Sequence, residues 1–379
     1  MKVTQKHWTK GEGWQTLSAS GADEQAQLVL VFGENAILRQ KSLLQEIEQF
    51  FPQARMIGCS TSGEIIGSRV FDDSLTATGV FFEKARLQFA DTVLDKMEDS
   101  FSAGEKLGEA LEPNGLTHVF VLSDGLKVNG SSLAKGIQSK LPANVAVTGG
   151  LAGDQDRFKE TAVFLGNVLK KDNIAVIGFY GDSLQIGYAS NGGWDSFGSD
   201  RLVTRSKANI LYELDGQPAL GLYKKYLGEQ AKGLPATGLL FPLSISLNGG
   251  DKRLVRTILS VNENDGSMTF AGDVPEGNYA RLMRASLERL VDGAAESARQ
   301  SQILGSSVPD LAILVSCVGR KLVLKQRIDE EVECIRDTFG PNTALTGFYS
   351  YGEICPVEPD GKQAELHNQT MTITTLSER

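Results

Sequence analysis

Three times the chain runs from a short apolar stretch, through an amphipathic stretch, into a second apolar stretch that stops at glycine. The first run is "QLVLVFGE" (27–34), then "NAILRQKSLLQEIEQFFPQ", then "ARMIGCST". The second is "HVFVLSDG" (118–125), "SSLAKGIQSKLP" and "VAVTGGLAGD" (145–154). The third is "LAILVSCVG" (311–319), "QRIDEEVECIRDTFG" and "ALTGFYSYGEI". Val- and Leu-rich runs of this length are buried strands, and Leu38, Leu43, Leu44, Ile47 and Phe50 recur near helical spacing. Each run is therefore a strand–helix–strand unit ending in a Gly-rich turn. The first and third turns are nearly the same loop: "GCSTSGEI" (58–65) and "GFYSYGEI" (347–354) share the form Gly-x-x-x-x-Gly-Glu-Ile.

Parallel strands joined by a crossover helix bring their C-terminal ends to one sheet edge, where ligands usually sit. The spacing thus predicts the Gly-Glu turns on neighbouring edges, with a ligand where they converge. Tyr349, Tyr351 and Glu353 would form one side, and Ser60, Ser62 and Glu64 its counterpart. Between the units, "LTATGVFFEKARLQFADTVL", "NIAVIGFYGDSLQIGYAS" and "RLVRTILSVNENDGSMTFAG" read as antiparallel hairpins, the first two reversing near Glu83-Lys84 and Gly181-Asp182. The expected fold is α/β with mixed sheets, in two domains, 25–215 and 216–376, divided where a helix opening with Pro218 follows a Gly-rich segment.

Length and charge narrow the function. A chain of 379 residues exceeds one ordinary core. Its net charge is −9 and no Lys/Arg run could track a phosphate backbone, which argues against nucleic acid. No apolar stretch approaches the roughly 20 residues that span a bilayer. The polar start "MKVTQKHWTKGEGW" lacks a signal-peptide core, and four scattered cysteines suggest reduced thiols, so a cytoplasmic protein is expected. Ser60, Thr61 and Ser62 lie beside Glu64, but no G-x-S-x-G elbow and no placed histidine supports a hydrolase; the expectation is not an enzyme. Asp154 and Asp156 read as solvated loop carboxylates, His118 as a core histidine, and His7 as part of a polar, mobile N-terminus.

"GCSTSGEI", "GGLAGD", "YELDGQPALGLY", "GDVPEGNYARLM" and "GFYSYGEICP…LHNQTMTIT" together resemble the FIST family, with a FIST N and a FIST C domain, from about Gln25 to Leu376. The resemblance implies an intracellular sensory protein binding a small molecule, with amino acids among the proposed ligands. The sequence also resembles the stand-alone NosP branch, which binds haem, senses nitric oxide and acts on a histidine kinase. With no kinase, cyclase or receiver segment visible, the expectation is a haem-binding sensor of a gas or small-molecule ligand that regulates a histidine kinase in trans; a homo-oligomer is compatible with this. The alternative is a polar-metabolite sensor. Haem requires an axial ligand. His367, in "ELHNQTMT" ahead of an alternating strand, and Cys355, in a Cys-Pro pair, are the residues expected to supply it.

Overall fold

The computed structural model describes residues 1–247, 250, 252–302, 308–358 and 361–379. All three strand–helix–strand units form as the periodicity dictates. Strands Leu28–Gly33 and Arg55–Ser60 are parallel neighbours, as are Leu116–Ser123 with Ala146–Leu151 and Leu311–Cys317 with Ala344–Ser350. Each pair nucleates its own sheet, and each sheet gains an antiparallel neighbour on the same side: Ser74–Phe81, Asn173–Tyr180 or Met371–Glu378.

On the other side, each sheet takes a hairpin from a different unit. The chain after the first Gly-Glu turn leaves its own sheet, and Glu64–Ile66 pairs with Ala344–Ser350 of the third. The third unit's hairpin, Gly352–Pro356 with Ala364–His367, joins the second sheet at Ala146–Leu151. The second unit's hairpin, Val163–Leu165 with Leu169–Lys170, joins the first sheet at Arg55–Ser60. The exchange closes a ring of three sheets. The Gly-rich turns are thus the corners at which the chain changes sheet.

Two expected hairpins are corners as well. Ser74–Phe81 lies in the first sheet while Arg86–Val93 pairs with Asn173–Tyr180 in the second. Asn173–Tyr180 and Leu184–Asn191 likewise belong to the second and third sheets. Two adjacent strands and a polar reversal are the local signature of a hairpin, yet they serve equally well to link strands in different sheets. The third expected hairpin forms, Ile258–Asn262 against Ser267–Phe270. The N-terminus is also ordered: Lys2–Thr9 pairs with Ser74–Phe81, and His7 is buried against Phe71 with ring centroids 4.2 Å apart. It is not the mobile segment its polarity suggests.

The inner faces of the three sheets share one core, in which Phe32, Phe348, Phe120, Phe179 and Val315 meet; Phe32 and Phe348 lie 4.7 Å apart. Outer faces are covered by the crossover helices. Lys41–Phe50 buries Leu43, Leu44 and Ile47, Gly130–Ser139 buries Leu133 and Ile137, and Ile328–Phe339 buries Val332 and Ile335. The glycine in the second strand of each unit has one steric cause. A Cβ at Gly58, Gly149 or Gly347 would lie 2.1, 1.9 or 1.9 Å from the carbonyl oxygen of Val31, Val121 or Leu314 on the parallel neighbour.

A fourth sheet stands apart. It runs in the order 253–256, 243–246, 279–284, 201–207, 210–214, 267–270, 258–262 and packs on helix Ala219–Leu227 around Phe270, Met268 and Leu282. The chain leaves the ring after Leu184–Asn191 and returns to it at helix Leu287–Gln300, which packs on Leu184–Asn191 and Ile328–Phe339. The fourth sheet is inserted between strand Leu184–Asn191 and the third unit, and Asp215-Gly216 is a positive-φ turn inside it.

Candidate functional site

The two Gly-Glu turns do converge. Ser62 N donates to Tyr349 O at 2.8 Å and Tyr349 N donates to Gly63 O at 2.9 Å. Gly153 N donates to Ser60 O at 2.9 Å, and Tyr351 N to Leu151 O at 3.1 Å, so the second unit's turn joins the same knot. Ser60 Oγ donates to Gly153 O at 2.8 Å and accepts from Ala162 N at 2.9 Å.

Within the knot the two glutamates occupy matching nests. Glu64 Oε1 takes the hydroxyl of Thr61, three residues earlier, and Oε2 accepts Ser74 N at 3.2 Å and Ser74 Oγ at 2.7 Å. Glu353 Oε1 accepts Ser350 Oγ, also three residues earlier, at 2.6 Å; Oε2 accepts Thr370 N at 3.2 Å and Thr370 Oγ1 at 2.9 Å. Among the described residues no cation pairs with either carboxyl, and burial raises both pKa values to about 8, against the lowering effect of those hydrogen bonds and of the more distant Lys321 and Arg320. The shift favours the protonated form of both acids. They lock the corners from which the chain crosses to the next sheet.

The other expected site residues are largely used up in packing. Ser60, Ser62, Glu64, Tyr349 and Glu353 are buried. Tyr349 Oη donates to Glu331, which also accepts Ser316 Oγ at 3.1 Å and forms a fully buried ion pair with Arg320 at 2.8 Å. Tyr351 reaches the rim: its ring stacks on half-exposed Phe158 at 4.4 Å, and its hydroxyl donates to Gln155 O at 3.1 Å. His118 is held in the core by Thr148 Oγ1 at 2.8 Å, its pKa lowered by burial to about 3. Asp154 is buried rather than solvated, accepting from Arg157 Nε at 2.9 Å and from the backbone of Lys159 and Glu160.

His367 and Cys355 lie on the paired strands that the third unit donates to the second sheet. His367 Nε2 sits 2.9 Å from Cys355 O, and burial lowers the ring's pKa to about 4. The Cys355 thiol is buried with Ala146 and Tyr188, which pushes its pKa up. As packed, neither side chain offers an axial position, so these residues do not fit a haem iron. Among the described residues no cluster of three or more His, Cys, Asp or Glu could hold a metal ion.

Open space lies one strand away. Between helix Gly130–Ser139, the donated strand Ala364–His367 and the inserted sheet is a cleft of about 470 Å³. Its wall carries Lys135, Arg256, Asp273, Glu358, Lys362 and Glu365. A smaller apolar cleft of about 170 Å³, lined by Phe158, Tyr351, Leu259 and Phe270, follows the same seam on the other side of Gly130 and Gly272. Asn129 Nδ2 donates to Asp273 Oδ1 at 3.3 Å and Arg256 Nη1 donates to Leu366 O at 2.8 Å; both bonds bridge the ring and the inserted sheet. None of the charged residues of the larger cleft was picked out by local pattern. The signal that could have found it is "GDVPEGNYARLM", whose Asp273, Pro275 and Asn278 form part of the wall.

The geometry defines an internally repeated α/β protein: three sheets exchanging hairpins around one core, with a separate sheet inserted. The chain belongs to the FIST family, matching the FIST N domain over residues 27–217 and the FIST C domain over 219–356. FIST domains are signal-transduction sensor domains. It is also 23% identical over 325 residues to an uncharacterized protein of Methanocaldococcus jannaschii; the match covers 77% of this chain and 60% of that protein's length. Among solved structures, cyanuric acid hydrolase from A. caulinodans is 8% identical with a TM-score of 0.37, over 100% of this chain and 99% of the other, a likeness that carries no argument here. No helix among the described residues is long and apolar enough to cross a membrane.

Proposed function

We propose that the protein senses a small polar metabolite bound in the cleft between the ring and the inserted sheet, and that a partner, a histidine kinase acting in trans, reads the bound state. The observation that carries this reading is the placement of the cleft. Its walls come from two bodies with separate cores, so a ligand contacting both can bias their relative position. A sensor needs such a difference in ligand affinity between two arrangements. On this reading the protein binds and signals and turns nothing over.

The test is a thermal-shift screen of metabolites on the purified protein, followed by hydrogen exchange with the best stabiliser. Protection is expected in 130–139, 253–256, 272–278 and 361–367. Protection confined to other segments would refute the cleft as the site. Ligand should also change the autophosphorylation of a kinase encoded nearby; an unchanged rate with saturating protein, with and without ligand, would remove the kinase from the proposal. For haem to bind here, His367 Nε2 would have to give up Cys355 O, or the Cys355 thiol would have to leave its packing with Ala146 and Tyr188. A Soret band abolished by His367→Ala or Cys355→Ala would therefore replace this reading.

A further inference from the structure

The charged cleft has a sign, and one buried cation sets it. Arg256 is 3% exposed. Its Nε donates to Asp273 O at 2.9 Å and its Nη1 to Leu366 O at 2.8 Å and Val255 O at 3.2 Å. These partners are carbonyls, and among the described residues no carboxylate lies within 4 Å of the guanidinium. A buried cation without a counter-ion is costly, and burial lowers the pKa of this one to about 10. Asp273 and Glu365 are the acids nearest to it in effect. Asp273 accepts from Asn129, and burial raises the pKa of Glu365 against the lowering effect of Lys135 and Arg256.

The rest of the wall leaves the balance positive. Lys252 and Glu358 pair at 2.9 Å and cancel. Lys362 Nζ donates to Tyr188 Oη at 2.7 Å, a bond that leaves its charge in place. Lys135 stands on helix Gly130–Ser139, exposed; among the described residues no hydrogen bond or ion pair within 4 Å reaches its ammonium, and Glu365 is the acid that feels its charge. One turn before it on the same helix face, Ser131 lines the cleft, and its Oγ is buried without a hydrogen-bond partner.

We infer that the cleft binds an anionic group, a carboxylate or a phosphate, whose charge is met by the Arg256 guanidinium and the Lys135 ammonium. This rests on the cleft being the sensory site and adds the charge of what it takes. Arg256 already ties the inserted sheet to strand Ala364–His367 through the carbonyls it holds. An anion on its free edge would therefore be felt by both bodies at once. With the Nε hydrogen and both Nη1 hydrogens given to carbonyls, Nη2 is the edge left to meet an anion, a placement a lysine could not hold while keeping those carbonyl bonds.

The test uses the purified full chain with three probes: succinate, inorganic phosphate and putrescine. Succinate or phosphate should raise the melting temperature and slow exchange in 130–136 and 254–257, and the stronger of the two identifies the anion class. Lys135→Glu should fold normally yet bind that anion at least about tenfold more weakly, the scale of losing one charge-assisted contact. Arg256→Lys should weaken it further. If Arg256→Lys does not fold, Lys135→Glu alone decides. Putrescine protecting the cleft while neither anion does would overturn the assigned sign and leave the cleft reading standing. Exchange protection away from the cleft for every responding probe would overturn both. No response to either anion, or an anion response unchanged in Lys135→Glu, would overturn the inference.

Discussion

The Gly-Glu corners and the seam beneath the inserted sheet treat charge in opposite ways. At the corners, Glu64 and Glu353 are buried and hydrogen-bonded through both carboxyl oxygens, and burial raises their pKa values. At the seam, Arg256 is buried but charged, its neighbours are carbonyls, and its cleft opens to solvent. A carboxyl can escape the cost of burial by taking up a proton, whereas a guanidinium keeps its charge. The repeated element is thus a closed structural lock, and the unrepeated insertion supplies the open, charged site.

The sharpest way to break this comparison is to attack the corners sterically. Gly347→Val would place a branched side chain against Leu314 O, where even a Cβ would lie 1.9 Å away. We expect loss of folded protein, a cost of about 4 kcal/mol or more, read as absence of a cooperative melt. A folded variant with an unchanged melting temperature would show that the corner glycines are not required by the ring.

Protonation of the two acids can be tested by pH. Burial raises each pKa in the folded protein to about 8 from the ordinary glutamate value of 4.5. The folded state therefore holds protons that the unfolded state has released. The stabilising contribution is full below about pH 4.5 and is lost as pH rises toward 8, with a slope of up to about 1.4 kcal/mol per pH unit for each carboxyl. Denaturant melts from pH 5 to 8 should show this decline, and Glu64→Gln with Glu353→Gln should flatten it. A stability that rises over that range would mean both acids are ionised.

Truncation at one corner should cost less than closing it sterically. Glu353→Ala leaves the hydroxyls of Ser350 and Thr370 without their acceptor and opens a small void, for a loss of about 2–3 kcal/mol in chemical denaturation. Glu353→Gln should cost under about 1 kcal/mol at pH 7, because the amide fills the same nest. Equal losses in the two variants would mean that the carboxyl does more than fill a hydrogen-bonded corner.

The smallest effect belongs to the rim of the seam. Lys252 and Glu358 are each 55% exposed in their ion pair, so Lys252→Ala should move stability by no more than about 0.5 kcal/mol. A larger loss would show that the inserted sheet depends on this pair for docking.

Read residue by residue, the sequence by itself determined the three strand–helix–strand units, the Gly-rich turns that end them and the membership of Glu64 and Glu353 in one repeated motif. These are local properties: Val- and Leu-rich runs such as 28–33 and 311–317 have few alternatives to a buried strand, and a glycine facing a neighbour's carbonyl has none. Only the tertiary structure decided which sheet each strand joins. Glu64–Ile66 and Val163–Leu165 are three residues long, too short to encode a partner, so the register comes from the free edge that receives them. The same exchange places Ala364–His367 beside Arg256, a residue that in sequence is one more arginine in an exposed-looking hairpin. Its burial, with no carboxylate within 4 Å among the described residues, exists only where two bodies with separate cores meet, because the cost of burying a charge depends on every group around it in space and on few of its neighbours along the chain.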